Sequence, residues 1–149
     1  MADHELDICL ANEIGKLETL AERLEAYVEA EAIPPTPAYR LQLAADEFFN
    51  NAVDYGYPDG RAGEIALRVR RAGNVLEAIF SDDGNAFDPF QAPAPDIAGS
   101  LEERRIGGLG VHLVRTLADS VAYRREDGRN VVTLTFSLAA TPQGSAPES

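Results

Sequence analysis

The sequence is poor in the residues that build disulfides and zinc sites, with one cysteine and two histidines in 149 residues. The lone Cys9 cannot form an internal disulfide. His4 and His112 are far apart and in no ligand spacing, which argues against a zinc centre. We therefore expect a protein of a reducing compartment that folds without crosslinks.

Two further shortages narrow the class of protein. Lys16 is the only lysine and no G-x-x-x-x-G-K-[ST] pattern occurs, so a P-loop NTPase is excluded. No apolar run approaches the roughly 20 residues of a membrane span. The start, MADHELDICLANE, lacks the basic and long apolar stretches of a secretory signal. These features predict a cytoplasmic protein that does not associate with a membrane.

Acidic residues dominate the charge, with 25 Asp and Glu against 13 Lys and Arg and a net charge of −12. Such a surface repels phosphate polyanions, so we expect no direct nucleic-acid partner and favour a protein or a small ligand. A length of 149 residues with 45% hydrophobic content suits one well-buried core, hence one domain.

Hydrophobic periodicity and turn residues predict the elements along the chain. They are a strand (5–12), a helix (14–30), a proline break (33–37), a helix (38–55), a hairpin (64–70 and 75–81), a long loop (90–106), a short helix after Gly110 and a second hairpin (121–125 and 131–138). This order predicts an α+β two-layer sandwich, with a mixed, mostly antiparallel sheet and helices on one face. Residues 1–138 are expected to form the domain, and 139–149 a disordered tail.

The helix over 38–55 carries an unusual number of carboxylates and amides. Glu47 and Asn51 are four residues apart and therefore lie on the same side of it. A carboxylate and an amide oxygen one turn apart can share a hard cation or a water. The alternative is that both belong to the solvated side of an amphipathic helix.

Two other polar segments follow further along the chain. SDDGNAFDP (81–89) places Asp82 at a strand end, where it can accept a hydrogen bond from an amine, and Gly84 allows close backbone approach; a plain turn is the alternative. IGGLG (106–110) opens a helix, an arrangement that can bind phosphate through backbone N–H groups. Each segment alone is a weak signal.

Taken in order, E-x-x-x-N on a helix, D-x-G after a strand and G-x-G opening a helix resemble the N, G1 and G2 boxes of the GHKL ATPases. DEFFNNAVDYGYP, DDGNAFDP and GGLGVHLVRTLADSVAYRREDGRNVVTLTF resemble more closely the bacterial anti-sigma-factor serine/threonine kinases, the RsbW-like group. The resemblance spans about residues 5–138 and implies the ATP-binding fold of that superfamily.

The resemblance also implies roles for individual residues. Glu47 matches the catalytic general base, Asn51 the magnesium ligand, and Asp82, beside Gly84, the reader of the adenine amino group. Residues 90–106 fall at the ATP lid, and the phosphate-binding loop corresponds to Gly107, Gly108, Leu109 and Gly110. Tyr55 departs from the histidine of many relatives. Arg104 and Arg105 are candidates for phosphate contacts or for local ion pairs with Glu102 and Glu103.

The implied function is that of a kinase that uses ATP and Mg²⁺, sequesters a sigma factor and phosphorylates a STAS-type anti-anti-sigma protein on serine or threonine. Relatives of this kind also form homodimers. A second interpretation is an ATP-gated protein-binding module without transferase activity. A histidine-kinase catalytic domain would require a dimerisation helix pair, for which we find no candidate in these 149 residues.

Overall fold

The structure, a computed structural model, describes residues 5–88 and 118–139. The predicted lid at 90–106, the glycine loop at 107–110 and the short helix after it lie outside the described residues. The predicted tail at 139–149 also lies outside them, apart from Ala139. No helix in the described part of the chain is long and apolar enough to cross a membrane.

The described residues form two helices and five strands. A single turn of 3-10 helix (Ile14–Lys16) precedes the first helix. The helices are α1 (Leu17–Ala30) and α2 (Pro35–Tyr55), and the strands are β1 (Glu5–Ala11), β2 (Glu64–Ala72), β3 (Val75–Asp82), β4 (Ser120–Glu126) and β5 (Arg129–Ser137).

The five strands form one sheet in the order β1-β2-β3-β5-β4, and all four pairings among the described strands are antiparallel. Both predicted hairpins are present, β2–β3 and β4–β5. The second closes through Asp127 and Gly128, both with positive φ, as a tight hairpin turn requires. The predicted α+β architecture is confirmed.

The core lies between the sheet and α2, because alternate strand residues point to the helices. Val69, Leu76, Ala78, Leu134 and the α2 residue Leu41 are fully shielded from solvent. The opposite side of β2 carries Arg68 and Arg70, both exposed and paired with acidic side chains. Alternation in the sequence therefore predicts which side of each strand is covered.

The start of α2 differs from the prediction. The sequence predicts that the prolines of segment 33–37 precede a helix beginning at residue 38, but α2 begins at Pro35 and includes Pro37. Proline is compatible with the first turn of a helix, where its missing N–H would have no partner in any case. The segment therefore separates α1 from α2 and also begins α2.

Candidate functional site

Buried polar side chains collect where β3 ends, α2 ends and β5 begins. We call this region the site end; it comprises residues 47–55 of α2 with the following Gly56, residues 82–88 at and after the end of β3, and Asn130 of β5. A cavity there is lined by Asn51, Gly56, Asp82, Phe87 and Asn130 together with apolar side chains of the helix-facing side of the sheet. Asn51 and Asn130 are the buried asparagines of the described residues, and both lie in this region.

Asn51 is the clearest departure from an ordinary amphipathic helix. Its side chain is only 5% exposed, and its Nδ2 has no hydrogen-bond partner within the described residues. A buried amide without a partner costs free energy, which a ligand can recover by bonding to it. The neighbouring Asn50 differs, since its Nδ2 donates to the Asp46 carbonyl oxygen at 2.8 Å. The interpretation of Asn51 as part of a solvated helix side is therefore wrong.

Glu47 lies one helical turn before Asn51 and is half-buried. Burial raises the pKa of its carboxyl group, and the neighbouring Asp46 carboxylate raises it further. A raised pKa makes a carboxylate a stronger proton acceptor once it is ionised, as a general base requires.

Asp82 ends β3 on the same side of the sheet as the buried Phe80, and so faces the helices. One carboxylate oxygen, Oδ1, accepts hydrogen bonds from the Gly84 N–H and from Asn130 Nδ2, both at 2.9 Å. Nothing among residues 5–88 and 118–139 bonds to the other oxygen, Oδ2. That oxygen can accept a hydrogen bond from a ligand in the cavity.

Gly84 packs the turn after β3 against the end of α2. A Cβ at Gly84 would lie 2.8 Å from both the Cα and the carbonyl oxygen of Gly56. The Asn85 N–H donates to that same carbonyl at 2.8 Å. The close backbone approach predicted at Gly84 is present, and its partner in the described chain is Gly56.

Asp83 points away from the cavity, and its hydrogen bonds stabilise the same turn on the side opposite the cavity. Its Oδ1 accepts from the Tyr57 hydroxyl at 2.7 Å and from the Glu64 N–H at 3.0 Å. Arg61 donates to the Asp83 carbonyl oxygen at 2.7 Å and covers the Tyr57 ring. Partial burial opposes ionisation of Asp83, but the Tyr57 and backbone hydrogen bonds outweigh it and lower its pKa. The two consecutive aspartates therefore have different roles.

Sequence patterns missed two contacts of the site. Asn130, assigned to the turn between the last two strands, is instead the second residue of β5 and bonds to Asp82. Tyr55 stacks on Phe87, with ring centroids 5.6 Å apart. This aromatic contact occupies the position at which the family resemblance predicts a histidine in many relatives. Both contacts join segments distant in the chain, and no local pattern encodes them.

The predicted phosphate-binding residues Gly107, Gly108, Leu109 and Gly110, and also Arg104 and Arg105, lie outside the described residues and stay predictions. Within the described part, no group of three or more His, Cys, Asp and Glu side chains converges on one point. No hydrogen bond in the described chain fixes the Asn51 amide, so it can turn its oxygen toward a cation.

Comparisons with known proteins identify the family of the chain. Residues 10–136 match the family described as Histidine kinase-like ATPase domain. The chain is 37% identical to the serine/threonine-protein kinase BtrW of Bordetella bronchiseptica over 111 residues, which are 74% of this chain and 73% of that one. It is 31% identical to the serine-protein kinase RsbW of Bacillus subtilis over 101 residues, 64% of this chain and 62% of the relative, thus less than two thirds of that protein.

Two solved structures share the fold. The crystal structure of the RsbU and RsbW domains of a Mycobacterium tuberculosis protein superposes with a TM-score of 0.67 at 19% identity, over 95% of this chain and 34% of that one. The SiaB–SiaC complex from Pseudomonas aeruginosa gives a TM-score of 0.57 at 18% identity, over 90% and 91% of the two chains. At these identities the likeness is one of fold.

Proposed function

The chain belongs to the histidine kinase-like ATPase family, in its RsbW-like group of serine/threonine-protein kinases, and we propose that it binds ATP at the site end and transfers the terminal phosphoryl group to a protein hydroxyl. The observation that carries this proposal is that two polar side chains with unused hydrogen-bonding capacity line one cavity. Asn51 presents an amide without a described partner, and Asp82 presents a carboxylate oxygen that its own hydrogen bonds leave available.

The two groups suit opposite parts of a nucleotide. Asp82 Oδ2 is an acceptor and would bind the exocyclic amine of adenine. Asn51 lies on α2 and would hold Mg²⁺ through its amide oxygen, and the ion would neutralise charge on the phosphate oxygens. Gly107, Gly108, Leu109 and Gly110 are proposed to supply backbone N–H groups for the phosphates.

Glu47 is proposed as the catalytic general base. Phosphoryl transfer depends mainly on positioning and on charge stabilisation, so the base has only to orient the acceptor hydroxyl and accept its proton. Burial and the Asp46 carboxylate raise the pKa of Glu47, which favours that proton transfer. Glu47 and Asn51, one turn apart on α2, place the base close to the group that would hold the cation.

The proposed protein partners follow from the family resemblance and from the charge. We propose that the chain sequesters a sigma factor and phosphorylates a STAS-type anti-anti-sigma protein, and that it forms a homodimer. The relative BtrW is named a serine/threonine-protein kinase and RsbW a serine-protein kinase, which supports a hydroxyl acceptor. A net charge of −12 favours a basic binding surface on the sequestered partner.

The test is a radiolabelled ATP assay with the candidate STAS protein, run beside equilibrium ATP binding. We expect Glu47→Ala to lower phosphotransfer by about 10²-fold or more and to leave ATP affinity within a few fold, because the base acts in the chemical step. The matched control is Glu77→Ala, which removes a partly buried carboxylate that pairs with Arg70 and does not line the cavity. Full phosphotransfer by the Glu47 variant would refute the role of Glu47. ATP binding without transfer by the wild type would support an ATP-gated binding module.

A further inference from the structure

Asn130 occupies a position that the proposed catalytic roles leave unexplained. It is 5% exposed, is the second residue of β5 and pairs in register with Asp82, the last residue of β3. Burial of a side-chain amide is costly unless every donor and acceptor finds a partner. The hydrogen bonds of this residue therefore indicate why an amide is retained here.

The amide of Asn130 makes four hydrogen bonds. Its Nδ2 donates to Asp82 Oδ1 at 2.9 Å and to the Asn85 carbonyl oxygen at 2.8 Å. Its Oδ1 accepts from the Phe87 N–H at 3.0 Å and from the Tyr123 hydroxyl at 2.7 Å. Two donors and two acceptor sites are the full capacity of an asparagine side chain. The reverse rotamer would set the NH₂ group against the Phe87 N–H, so the surroundings fix the orientation.

This bonding determines what Asp82 can present to the cavity. Asn130 and the Gly84 N–H both hold Oδ1, which sets the rotation of the carboxylate and leaves Oδ2 for a ligand. Both hydrogens of the Asn130 amide are already used, so this amide cannot turn to donate to a ligand. The site therefore offers a fixed acceptor at this point and no competing donor from Asn130.

We propose that Asn130 is a positioning and specificity residue, which holds Asp82 as an acceptor for a purine bearing an amino group at its 6 position and so disfavours 6-oxo purines. The inference rests on the proposed nucleotide-binding function and goes beyond it by assigning base selectivity to a residue outside the recognised motifs. A 6-oxo purine would place a carbonyl oxygen against the Asp82 carboxylate, leaving two acceptors facing each other without a proton between them.

The sharpest variant is Asn130→Asp, which preserves the side-chain shape and replaces the Nδ2 donor by an oxygen. Two carboxylates would then meet at about the distance of the present hydrogen bond, so they would repel or share a proton. We expect the ratio of ATP to GTP affinity to shrink by about 10-fold or more at pH 8. It should recover in part as the pH falls to about 5.5, where the pair takes up a proton.

Asn12→Asp is the matched control. Asn12 also bridges two segments, donating from Nδ2 to the Arg61 carbonyl and accepting the Gly63 N–H, but it has no contact with Asp82. It should lower stability without changing the nucleotide ratio or its pH dependence. A merely structural role for Asn130 would make the two variants behave alike.

A nucleotide-free measurement covers the case in which Asn130→Asp does not fold. Hydrogen exchange of the Gly84 amide, which bonds to Asp82 Oδ1, reports whether Asp82 stays in place. It should be faster in Asn130→Ala than in wild type and unchanged in Asn12→Asp. Asn130→Ala should also show a reduced preference for ATP over GTP.

The outcomes separate the two proposals. A smaller ratio of ATP to GTP affinity in the Asn130 variants, together with faster hydrogen exchange of the Gly84 amide, supports the role of Asn130. If a folded Asn130 variant keeps the wild-type ratio of ATP to GTP affinity within about twofold, this inference is overturned and the proposed function is not. Failure of the wild type to bind ATP would overturn the proposed function and this inference with it.

Discussion

The β2–β3 hairpin has two ends built from different chemistry. At one, which we call the turn end (residues 71–75), the chain reverses through Gly73, whose φ is +62°, and the Asn74 carbonyl accepts the Leu138 N–H. The adjoining Leu76 is fully buried among apolar side chains. At the site end, the same two strands adjoin the cavity lined by Asn51, Asp82 and Asn130.

The difference shows that the free-energy cost of burying polar groups falls at the site end. An apolar core stabilises without demanding partners, whereas buried amides and carboxylates stabilise only when every polar atom is bonded. The turn end follows the ordinary rules of a hairpin. The site end breaks them at Asn51, whose Nδ2 has no partner in the described chain. Violations of local consistency of this kind mark functional sites.

The largest expected effect lies near the turn end and concerns stability alone. Leu76→Ala should lower the free energy of unfolding by about 2–5 kcal/mol, because a fully buried side chain is replaced by a cavity. ATP affinity of the folded protein should not change. Urea denaturation and calorimetry measure the two quantities. A marked loss of ATP affinity in the folded variant would contradict the separation of the two ends.

At the site end, Asp82→Asn should weaken ATP binding by about 1–3 kcal/mol, since a charge-assisted acceptor is lost from a partly buried pocket. Circular dichroism should show an intact fold. Asp7→Asn is the control, because Asp7 pairs with Arg68 on the exposed face. Unchanged affinity in a folded Asp82 variant would remove the adenine-binding role.

The neighbouring asparagines of α2 offer an internal comparison. Asn51→Ala should reduce both ATP binding and phosphotransfer, and added Mg²⁺ should restore part of the loss, since the variant lacks a proposed cation ligand. Asn50→Ala removes only a bond to its own helix and should stay within about 0.5 kcal/mol of wild type. If ATP affinity depends on Mg²⁺ concentration in the same way in both variants, Asn51 is not a cation ligand and its burial contributes only to the fold.

The smallest effect concerns Glu47 and pH. Burial and the Asp46 carboxylate raise the folded pKa of Glu47, so the folded state favours its protonated form. The stability that this group contributes is present below its unfolded pKa of about 4.3 and is lost as pH rises through the folded value. Glu47→Gln cannot ionise and should therefore be slightly more stable than wild type at pH 7, with the difference vanishing near pH 4. Glu126→Gln, at an exposed carboxylate that pairs with Arg124, serves as the control; an equal gain in stability there would contradict the explanation.

Most of the helices and strands are predictable from the sequence because they depend on local periodicity. Alternation along residues 64–70 and 75–81 predicts the hairpin, and helical spacing predicts both helices. The predicted start of α2 is wrong because proline both ends one helix and suits the first turn of the next.

The site was only partly predictable. Spacing placed Glu47 and Asn51 on one side of α2, and family resemblance supplied their roles and that of Asp82. The bonds of Asn130 to Asp82, Asn85 and Phe87 cross more than 40 residues of sequence, so they arise only when β5 pairs with β3. The stacking of Tyr55 on Phe87 likewise joins two distant segments, the end of α2 and the turn after β3.

Hydrogen exchange with and without ATP and Mg²⁺ tests most directly the claim that the two ends of the hairpin have separate roles. Ligand contacts to Asn51 and Asp82 should slow exchange of backbone amides at 51–56 and 82–87, and leave exchange at 71–75 unchanged. The turn end provides the internal reference within the same sample. Absence of any ligand-dependent slowing at the site end, or equal slowing at both ends, would contradict the assignment of nucleotide binding to the site end.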